Sequence, residues 1–378
     1  MKSILLPTIE NALEYGYEAL QEPDDLYHSL GWLLMDEEIR IARPFSVVCI
    51  PDSGGSAIAA TWGLVVDDTA FWPFMRIDSV LSGLFGKRQV RQQPGTRRAI
   101  RSLMPNAYLG ALRGGTTRMP VAPGLDAETT LRAIGEVLDG VEAMASDEGL
   151  GSVAFFYVPA EDAALRAALT DRGYLRFGPM HNVSVLQVTT FSDYLGRLST
   201  SRRRNVAWER NKIARAGVRI QVEPLTRELS EDMLPLEAQL YRKYGHETHP
   251  TEMARTLHHS VIDQYGGAAV VITARADGVL RGYAALIQIH QTLYSRDAGF
   301  DYAWQGRLPV YFEVVFYRAI ELAEQLGCRQ IYYSYAADET KAAHGCDLLP
   351  RDTYVKATDA RASAELRRIC ADLTPATQ

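Results

Sequence analysis

The sequence predicts an α/β fold made of two similar units, each a mixed, mostly antiparallel sheet flanked by helices. One observation behind this prediction is an order of elements that occurs twice, a strand hairpin followed by alternating helices and strands. Another is size, because 378 residues with 47% apolar content can bury two cores of ordinary dimensions. We therefore predict two domains, residues 1–188 and 189–378.

In the first half, strands alternate with helices after a helical N-terminal region. Runs of β-branched and aromatic residues predict the strands, and apolar residues at helical spacing predict the helices. Residues 83–124 are rich in Gly, Pro and Arg with little periodicity, which predicts a long loop. The other predicted elements are helical segments at 1–40, 126–148 and 162–172, and strands at 46–50, 57–66, 152–158 and 181–188.

The second half is organised around residues 311–354. Apolar spacing predicts a helix of about 18 residues from Tyr311, and Arg329 to Tyr335 has the composition of a strand. A predicted loop, residues 338–345, then places one Glu, one Lys and one His just past the strand end, where ligands usually bind in open α/β sheets. Upstream, we predict a helix at 202–216 and strands at 268–274, 280–289 and 291–298.

Composition and motifs exclude several classes of protein. No apolar run reaches the ~18 residues of a membrane span, and the N-terminal stretch lacks the pattern of a signal peptide, so we expect a cytoplasmic protein without a membrane span. The four cysteines show no CxxC pair and suit free thiols. The segment His246 to His249 is one residue short of the zinc spacing HExxH, so no metal site is predicted. Phosphate-loop, dinucleotide-binding and hydrolase-elbow motifs are also missing.

The net charge of −6 is unevenly distributed along the chain. Residues 79–125 contain eight basic residues and no acidic one, and residues 197–219 contain eight basic residues opposed only by Glu209. The rest of the chain therefore carries a charge of −21. Two basic segments on an acidic body favour a localised anion site over a general nucleic-acid coat, and two solvated faces are the alternative.

Four stretches between residues 180 and 357 carry a resemblance to a known family. They are Phe191 to Leu195 with the Arg202-Arg203-Arg204 triplet and Glu209-Arg210; Leu293 to Gly299; Tyr311-Phe312-Glu313 with Tyr317 and Ile320; and Glu339-Thr340-Lys341 with His344-Gly345. In order and spacing the chain resembles the Fem-like branch of the GNAT acyltransferase superfamily, the aminoacyl-tRNA-dependent peptidyltransferases and their FemAB-like relatives. Where those relatives tend to have Arg before the last Gly, this chain has His344.

The resemblance implies an acyltransferase that forms an amide bond by transferring an activated acyl group to an amine of a small molecule or peptide, in natural-product or cell-wall biosynthesis. The first domain is then expected to bind the acceptor. GNAT enzymes that use acetyl-CoA hold its pyrophosphate on a Gly-rich turn, but residues 304–310 contain one Gly and a Pro without an N–H. We therefore favour aminoacyl-tRNA as co-substrate, with acyl-CoA as the alternative and no other cofactor. The alternative to an enzyme is a non-catalytic binding protein on this scaffold.

The resemblance and the chemistry of amide formation together suggest site residues. Lys341 is the candidate electrophile for an oxyanion or a phosphate, with a solvated surface Lys as the alternative. Glu313 and Glu339 are candidates to accept the amine proton or to hold Lys341 and Arg296 in place. His344 is a candidate base or phosphate contact. The predicted substrate-binding residues are Tyr294, Arg296, Tyr311, Tyr335, Arg202, Arg203 and Arg204, although a Tyr in a hairpin is often core and the Arg triplet could be a solvated helix face.

Overall fold

The computed structural model describes residues 1–70, 72–87, 94–110, 114–245 and 248–373. The chain forms two compact units. Residues 1–183 together with 349–373 form the first unit, and residues 184–348 form the second. The chain therefore leaves the first unit once and returns to it, which the sequence did not predict.

The first unit combines an antiparallel set of strands with one parallel pair. Its elements are β1 (Lys2–Leu6), α1 (Ile9–Ala12), α2 (Leu30–Glu38), β2 (Arg43–Ile50), β3 (Ala59–Val66), α3 (Ile77–Lys87), α4 (Pro94–Arg101), β4 (Asn106–Leu109), α5 (Ala127–Asp147), β5 (Ser152–Pro159), α6 (Ala163–Asp171) and β6 (Leu175–Gln187), whose last residues belong to the second unit.

The second unit follows the same plan. Its elements are α7 (Phe191–Arg197), α8 (Thr200–Arg215), β7 (Arg219–Pro224), α9 (Arg227–Lys243), α10 (Thr251–Tyr265), β8 (Ala269–Ala276), β9 (Val279–Ile289), β10 (Thr292–Phe300), α11 (Tyr302–Gln305), α12 (Val310–Phe312), a π-helical turn (Glu313–Tyr317), α13 (Arg318–Gln325), β11 (Gln330–Tyr332) and α14 (Asp338–Ala343). The chain then enters β12 (Asp347–Ala357) and α15 (Ala360–Leu373), which return it to the first unit.

Strand order in the two units reveals the duplication that the sequence predicts. The first unit has the order β1-β2-β3-β4-β5 and the second has the order β7-β8-β9-β10-β11. The β4–β5 and β10–β11 pairs are parallel, and the other pairs within these two sets are antiparallel. An antiparallel sixth strand completes each set, β12 beside β5 and the end of β6 beside β11. The predicted α/β fold with mixed, mostly antiparallel sheets is confirmed.

Each unit has its own hydrophobic core. In the first unit, α5 buries Val137, Leu138 and Val141 among residues that include Phe155 of β5 and Leu165 of α6. Asp126 caps α5, because its carboxylate accepts the Thr129 N–H at 2.7 Å. In the second unit, the core joins one face of β8, β9 and β10 to α8, the π-helical turn and α13.

Several predicted elements need correction. Residues 1–40 contain β1 and only short helices, and part of the expected loop at 83–124 forms α4 and β4. The expected loop at 338–345 is mostly helical, as α14. The predicted domain boundary at 188 lies five residues beyond the first crossing at 183, but residues 349–373 pack with the first unit because β12 pairs with β5.

Among the residues that the structure describes, no helix is long and apolar enough to cross a membrane. Cys49, Cys328 and Cys346 are free, buried thiols.

Candidate active site

Two parallel strands of the second unit part at their carboxyl ends. β10 and β11 are paired only from Thr292 to Tyr294. Beyond that point the Tyr333 N–H donates to the Ser184 carbonyl and the Ser184 N–H donates to the Ser334 carbonyl, each at 2.9 Å. The other strand, β10, continues beside β9 through a β-bulge between Ser295 and Asp297. We call this gap the strand-end opening. Parting strands leave main-chain groups available to a ligand, and bulges re-aim side chains at such places.

Lys341 closes the loop that follows β11. Its buried ammonium donates hydrogen bonds to the carbonyl oxygens of Tyr333 at 2.7 Å, Ser334 at 3.1 Å and Tyr335 at 2.9 Å. An ammonium has three donors, so all of them are used. The loop needs this partner because Ser334, Ala336 and Ala337 have positive φ angles, which interrupt regular pairing. Burial lowers the pKa of Lys341 to about 8.

This geometry bears on the role predicted for Lys341. The side chain is neither solvated nor free to meet an oxyanion, because each N–H already has a carbonyl partner in the same loop. The arrangement instead fixes the wall of the strand-end opening. A role as the electrophile stays a prediction, and it would require one of these bonds to break.

His344 is a buried, neutral imidazole. Its ring stacks on Phe316 with centroids 4.2 Å apart and on Phe312 at 4.7 Å. Nδ1 lies 2.6 Å from the Thr340 carbonyl, so it carries the proton, and Nε2 accepts from Arg202. Burial, together with the Arg202 charge, lowers the pKa of His344 to about 4. Both ring nitrogens are therefore occupied.

Arg202 joins His344 to a buried acid. The guanidinium contacts both carboxylate oxygens of Glu209 at 3.2 Å and the Tyr317 hydroxyl at 2.5 Å, and that hydroxyl donates in turn to Glu209. Burial raises the pKa of Tyr317 well above its ordinary value, so the hydroxyl stays protonated. This network joins α8 to the π-helical turn, and π-helical turns occur frequently at functional sites.

The rest of the Arg triplet points elsewhere. Arg203 folds back on the carbonyls of Leu195 and Gly196, at 3.4 and 3.3 Å, and Arg204 is exposed. Successive helical positions are ~100° apart, which explains why the three side chains separate.

Glu313 carries an acceptor atom without a partner. One carboxylate oxygen lies 3.3 Å from Arg210 Nε, and Arg210 also holds Glu321 at 2.6 Å. The other oxygen, Oε2, is buried and has no hydrogen-bond partner among the described residues. Burial raises the pKa of Glu313, which favours the protonated acid. Of the predicted acids, Glu313 is thus buried at the start of the π-helical turn, whereas Glu339 is exposed in the first turn of α14.

The predicted tyrosines and Arg296 occupy two places. Tyr294 and Tyr332 pack with ring centroids 5.2 Å apart beside the strand-end opening, and half-buried Arg296 lies in the bulge. Tyr335 is half-buried at the loop held by Lys341. Tyr311 is half-buried against the core of the second unit, with its ring centroid 5.5 Å from that of Phe300, and burial raises its pKa to about 12.

The sequence prediction missed an aromatic residue on the basic helix. Trp208 is 60% exposed on α8, one turn after Arg204, and Lys212 Nζ lies 5.0 Å from its ring centroid. Arg204, Trp208 and Lys212 are spaced i, i+4, i+8, and this spacing in the sequence could have placed them on one helix face. We call Arg204, Trp208, Lys212 and the exposed Arg215 the basic α8 face.

The first unit contains a cavity of about 340 Å³. Its lining includes the carboxylates of Glu22, Asp25, Glu161 and Asp162, and the guanidinium of Arg118 lies 2.5 Å from Glu22. Within it, His28 Nδ1 lies 2.8 Å from Asp25 and Nε2 accepts the backbone N–H of Arg118 at 3.1 Å.

Of the predicted basic stretch, Arg97, Arg98 and Arg101 are exposed on α4, while Arg88, Arg91 and Arg113 lie outside the described residues. Among the described side chains, no group of His, Cys, Asp and Glu could hold a metal ion.

Comparison with known proteins decides the family. The model of the FemAB-like family, described as peptidoglycan biosynthesis and recognition, matches residues 116–372. The chain belongs to the FemAB-like family. The match extends upstream of the region in which sequence motifs carried the resemblance, and it includes the strand-end opening and the basic α8 face.

Solved structures share the fold at low identity. The crystal structure of FemX is 11% identical, with 94% of this chain and 97% of that chain covered and a TM-score of 0.60. L-PGS from Bacillus licheniformis is 9% identical, with coverages of 97% and 98% and a TM-score of 0.55. A tandem GNAT protein from the clavulanic acid biosynthesis pathway is 13% identical, with coverages of 95% and 99% and a TM-score of 0.50. No curated protein matches the sequence significantly.

Proposed function

We propose that this FemAB-like protein is an acyltransferase that forms an amide bond by moving an aminoacyl group from aminoacyl-tRNA to an amine of a small molecule or peptide. The observation that carries the proposal is the strand-end opening, in which parallel strands part beside a bulge and a loop held by a buried ammonium. Membership of a family described by peptidoglycan biosynthesis and recognition supports a peptide amine, including that of a cell-wall precursor, as acceptor.

The start of the helix after β10 favours tRNA over acyl-CoA as donor. A pyrophosphate needs free N–H groups at a helix N-terminus. Here Pro309 precedes α12 and has no N–H, and the Arg307 carbonyl accepts the Lys212 ammonium at 2.7 Å. The missing N–H of Pro309 weakens a phosphate cradle at this turn, and the Lys212 ammonium there is bound to a carbonyl.

The basic α8 face supports binding of RNA. An exposed Trp between cations offers a stacking surface for a base while Arg and Lys side chains contact phosphates. Arg204, Trp208 and Arg215 are exposed, as such contacts require. The Arg202 guanidinium is committed to the buried network and is proposed to position α8, not to touch the donor.

We propose a positional role for Lys341. By holding three consecutive carbonyls, it fixes the loop that borders the strand-end opening. Lys341→Ala should leave those carbonyls without their donor, at a cost of roughly 1–3 kcal/mol for each buried group left unsatisfied. Turnover should fall, whereas a non-catalytic binding protein would keep its ligand. Urea unfolding of the variant, beside Lys243→Ala at an exposed position, separates lost stability from lost turnover.

The donor is tested with purified protein, charged tRNA or acyl-CoA, and a panel of amines. Amide product with charged tRNA that disappears after RNase treatment is the expected result. Product from acyl-CoA that resists RNase would instead identify acyl-CoA as the donor and overturn the assignment of tRNA.

The basic α8 face makes a separate prediction for this assay. Trp208→Ala should raise KM for tRNA by roughly tenfold, since stacking of one base contributes about 1–3 kcal/mol. Tyr244→Ala is the matched control, because Tyr244 is also a strongly exposed aromatic residue. Equal KM values for both variants and the parent protein would remove α8 from donor binding.

A further inference from the structure

The inward side of α8 is tied to the residues that border the strand-end opening. Residues three and four apart return to the same side of a helix, which groups four residues of α8 here. They are Arg202, Val206, Glu209 and Ile213, of which the last three are buried. The basic α8 face, which is proposed to contact RNA, lies on a different side of the same helix. One helix therefore carries two sets of contacts.

Arg202 connects α8 to the end of α14. Its guanidinium contacts His344 Nε2, and the other ring nitrogen of His344 lies 2.6 Å from the Thr340 carbonyl. The backbone N–H of His344 also donates to the Lys341 carbonyl at 3.0 Å. Lys341 is the residue whose ammonium holds the loop after β11. Each step from α8 to that loop is thus a direct contact.

The π-helical turn makes a second connection to the same loop. The Tyr333 hydroxyl donates to the Val315 carbonyl at 2.9 Å. The ring centroid of Phe316 lies 5.1 Å from that of Tyr333 and 4.2 Å from that of His344. Tyr333 is the first residue past β11, and its carbonyl accepts the Lys341 ammonium at 2.7 Å. This residue is therefore held from two sides, by α14 through its carbonyl and by the π-helical turn through its hydroxyl.

Tyr317 and Glu209 fix the two connections relative to each other. Tyr317, the last residue of the π-helical turn, accepts from Arg202 at 2.5 Å and donates to Glu209. The two terminal nitrogens of Arg202 also contact the two oxygens of Glu209, each at 3.2 Å. Glu209 is 7% exposed, so its charge depends on these partners. Because a buried network with shared partners acts as a unit, a change at one member should shift the loop.

We propose that Arg202, Glu209 and Tyr317 are positioning residues for acyl transfer, which hold the RNA-binding helix α8 in place against the loop that borders the strand-end opening. This inference rests on the proposed function. The three residues touch neither substrate. They set where an ester, bound through the basic α8 face, lies relative to that loop. A displacement of about 1 Å between reacting groups can slow a reaction roughly 100-fold. The network should therefore act on kcat and leave KM for tRNA unchanged.

Two conservative variants test this role in the assay with charged tRNA and the best amine of the panel. Arg202→Lys keeps the charge beside Glu209 but loses the planar fork that reaches three partners at once. Tyr317→Phe removes a single oxygen atom. Each variant should lower kcat roughly tenfold and keep KM for tRNA within about twofold of the parent value.

Tyr283→Phe and Arg242→Lys are the matched controls. Tyr283 is buried in the same unit, but its hydroxyl has no hydrogen-bond partner among the described residues. Arg242 is exposed on α9. The same two substitutions outside the network should leave both kcat and KM at the parent values.

Hydrogen exchange gives a readout that does not depend on catalysis. The Tyr333 amide donates to the Ser184 carbonyl, so its protection reports the position of the loop. In Arg202→Lys this amide should exchange roughly tenfold faster, while amides of β8 and β9 keep the parent rate. An unchanged Tyr333 amide would contradict the proposed positioning.

The other results separate this inference from the proposed function. If the parent protein forms no product from either donor, the proposed function fails and this inference fails with it. Parent values of kcat in both variants would overturn the inference alone. A raised KM for tRNA at unchanged kcat would assign Arg202 to donor binding and would overturn it too. If urea unfolding shows that lost folded protein accounts for the whole loss of kcat, the network is purely structural and the inference is wrong.

Discussion

At the residue scale, burial of His344 makes the stability of the second unit sensitive to acid. The folded protein holds the pKa of this ring at about 4, below the ordinary value of 6.5. As pH falls, the unfolded chain therefore takes up a proton first, and stability that is fully present above pH 6.5 is lost toward pH 4. The shift corresponds to about 3 kcal/mol.

We expect His344→Gln to reduce this acid dependence. Urea unfolding at pH 7 and pH 4.5 should show a smaller loss of unfolding free energy in the variant than in the parent protein. His290→Asn is the control, because His290 is exposed and Asn tolerates its positive φ of 46°. An identical acid loss in all three proteins would contradict the assignment.

The residue roles also show where sequence reasoning stops. Lys341 and His344 were singled out from their place after a strand, but the carbonyl partners of Lys341 depend on backbone angles at Ser334, Ala336 and Ala337. Ser and Ala rarely adopt positive φ, so the residue types do not predict the backbone conformation of this loop. The contacts of His344 with Arg202 and Phe316 form only through packing.

At the element scale, the contact between β10 and α9 depends on Gly299, which has no side chain. A Cβ at Gly299 would lie 2.5 Å from the Tyr283 ring and 2.9 Å from the backbone of Leu236 and Glu237. Gly299→Ala should therefore destabilise the protein by about 1–3 kcal/mol, because backbone atoms have to move. Urea unfolding measures the change.

Gly196→Ala is the matched control for this prediction. Gly196 lies within α7, and a Cβ added there would meet no neighbouring group within 4 Å outside its own helical turn. Alanine should therefore stabilise the helix by about 0.5–1 kcal/mol. Equal effects at Gly196 and Gly299 would mean that α9 does not press on β10 as described.

Several elements with strong periodicity were predicted and the shortest ones were not, although the longer helices α9 and α10 were also missed. The helix α5 and the strands β5, β8 and β9 match their sequence predictions closely, because each has a long apolar pattern or a clear turn signal. β4 has four residues and α14 has six, so neither is long enough to show a period. β1 and β7, the strands before each hairpin, were missed as well.

At the scale of the whole molecule, the assignment of residues 349–373 to the first unit makes a prediction. Ending the chain after Leu348 should remove β12 from beside β5 and take Leu366 and Ile369 out of the core. Hydrogen exchange of β5 amides should then lose protection while amides of β8 and β9 keep theirs. Loss of protection in β8 and β9 instead would fit the domain boundary predicted from the sequence.

The returning C-terminal segment also has a consequence for synthesis on the ribosome. Residues 184–348 are contiguous, so the second unit has its whole chain available before translation ends. The first unit starts earlier but waits for β12, and until then β5 offers an unpaired edge to other nascent chains. The half of the protein that is made first is thus completed last.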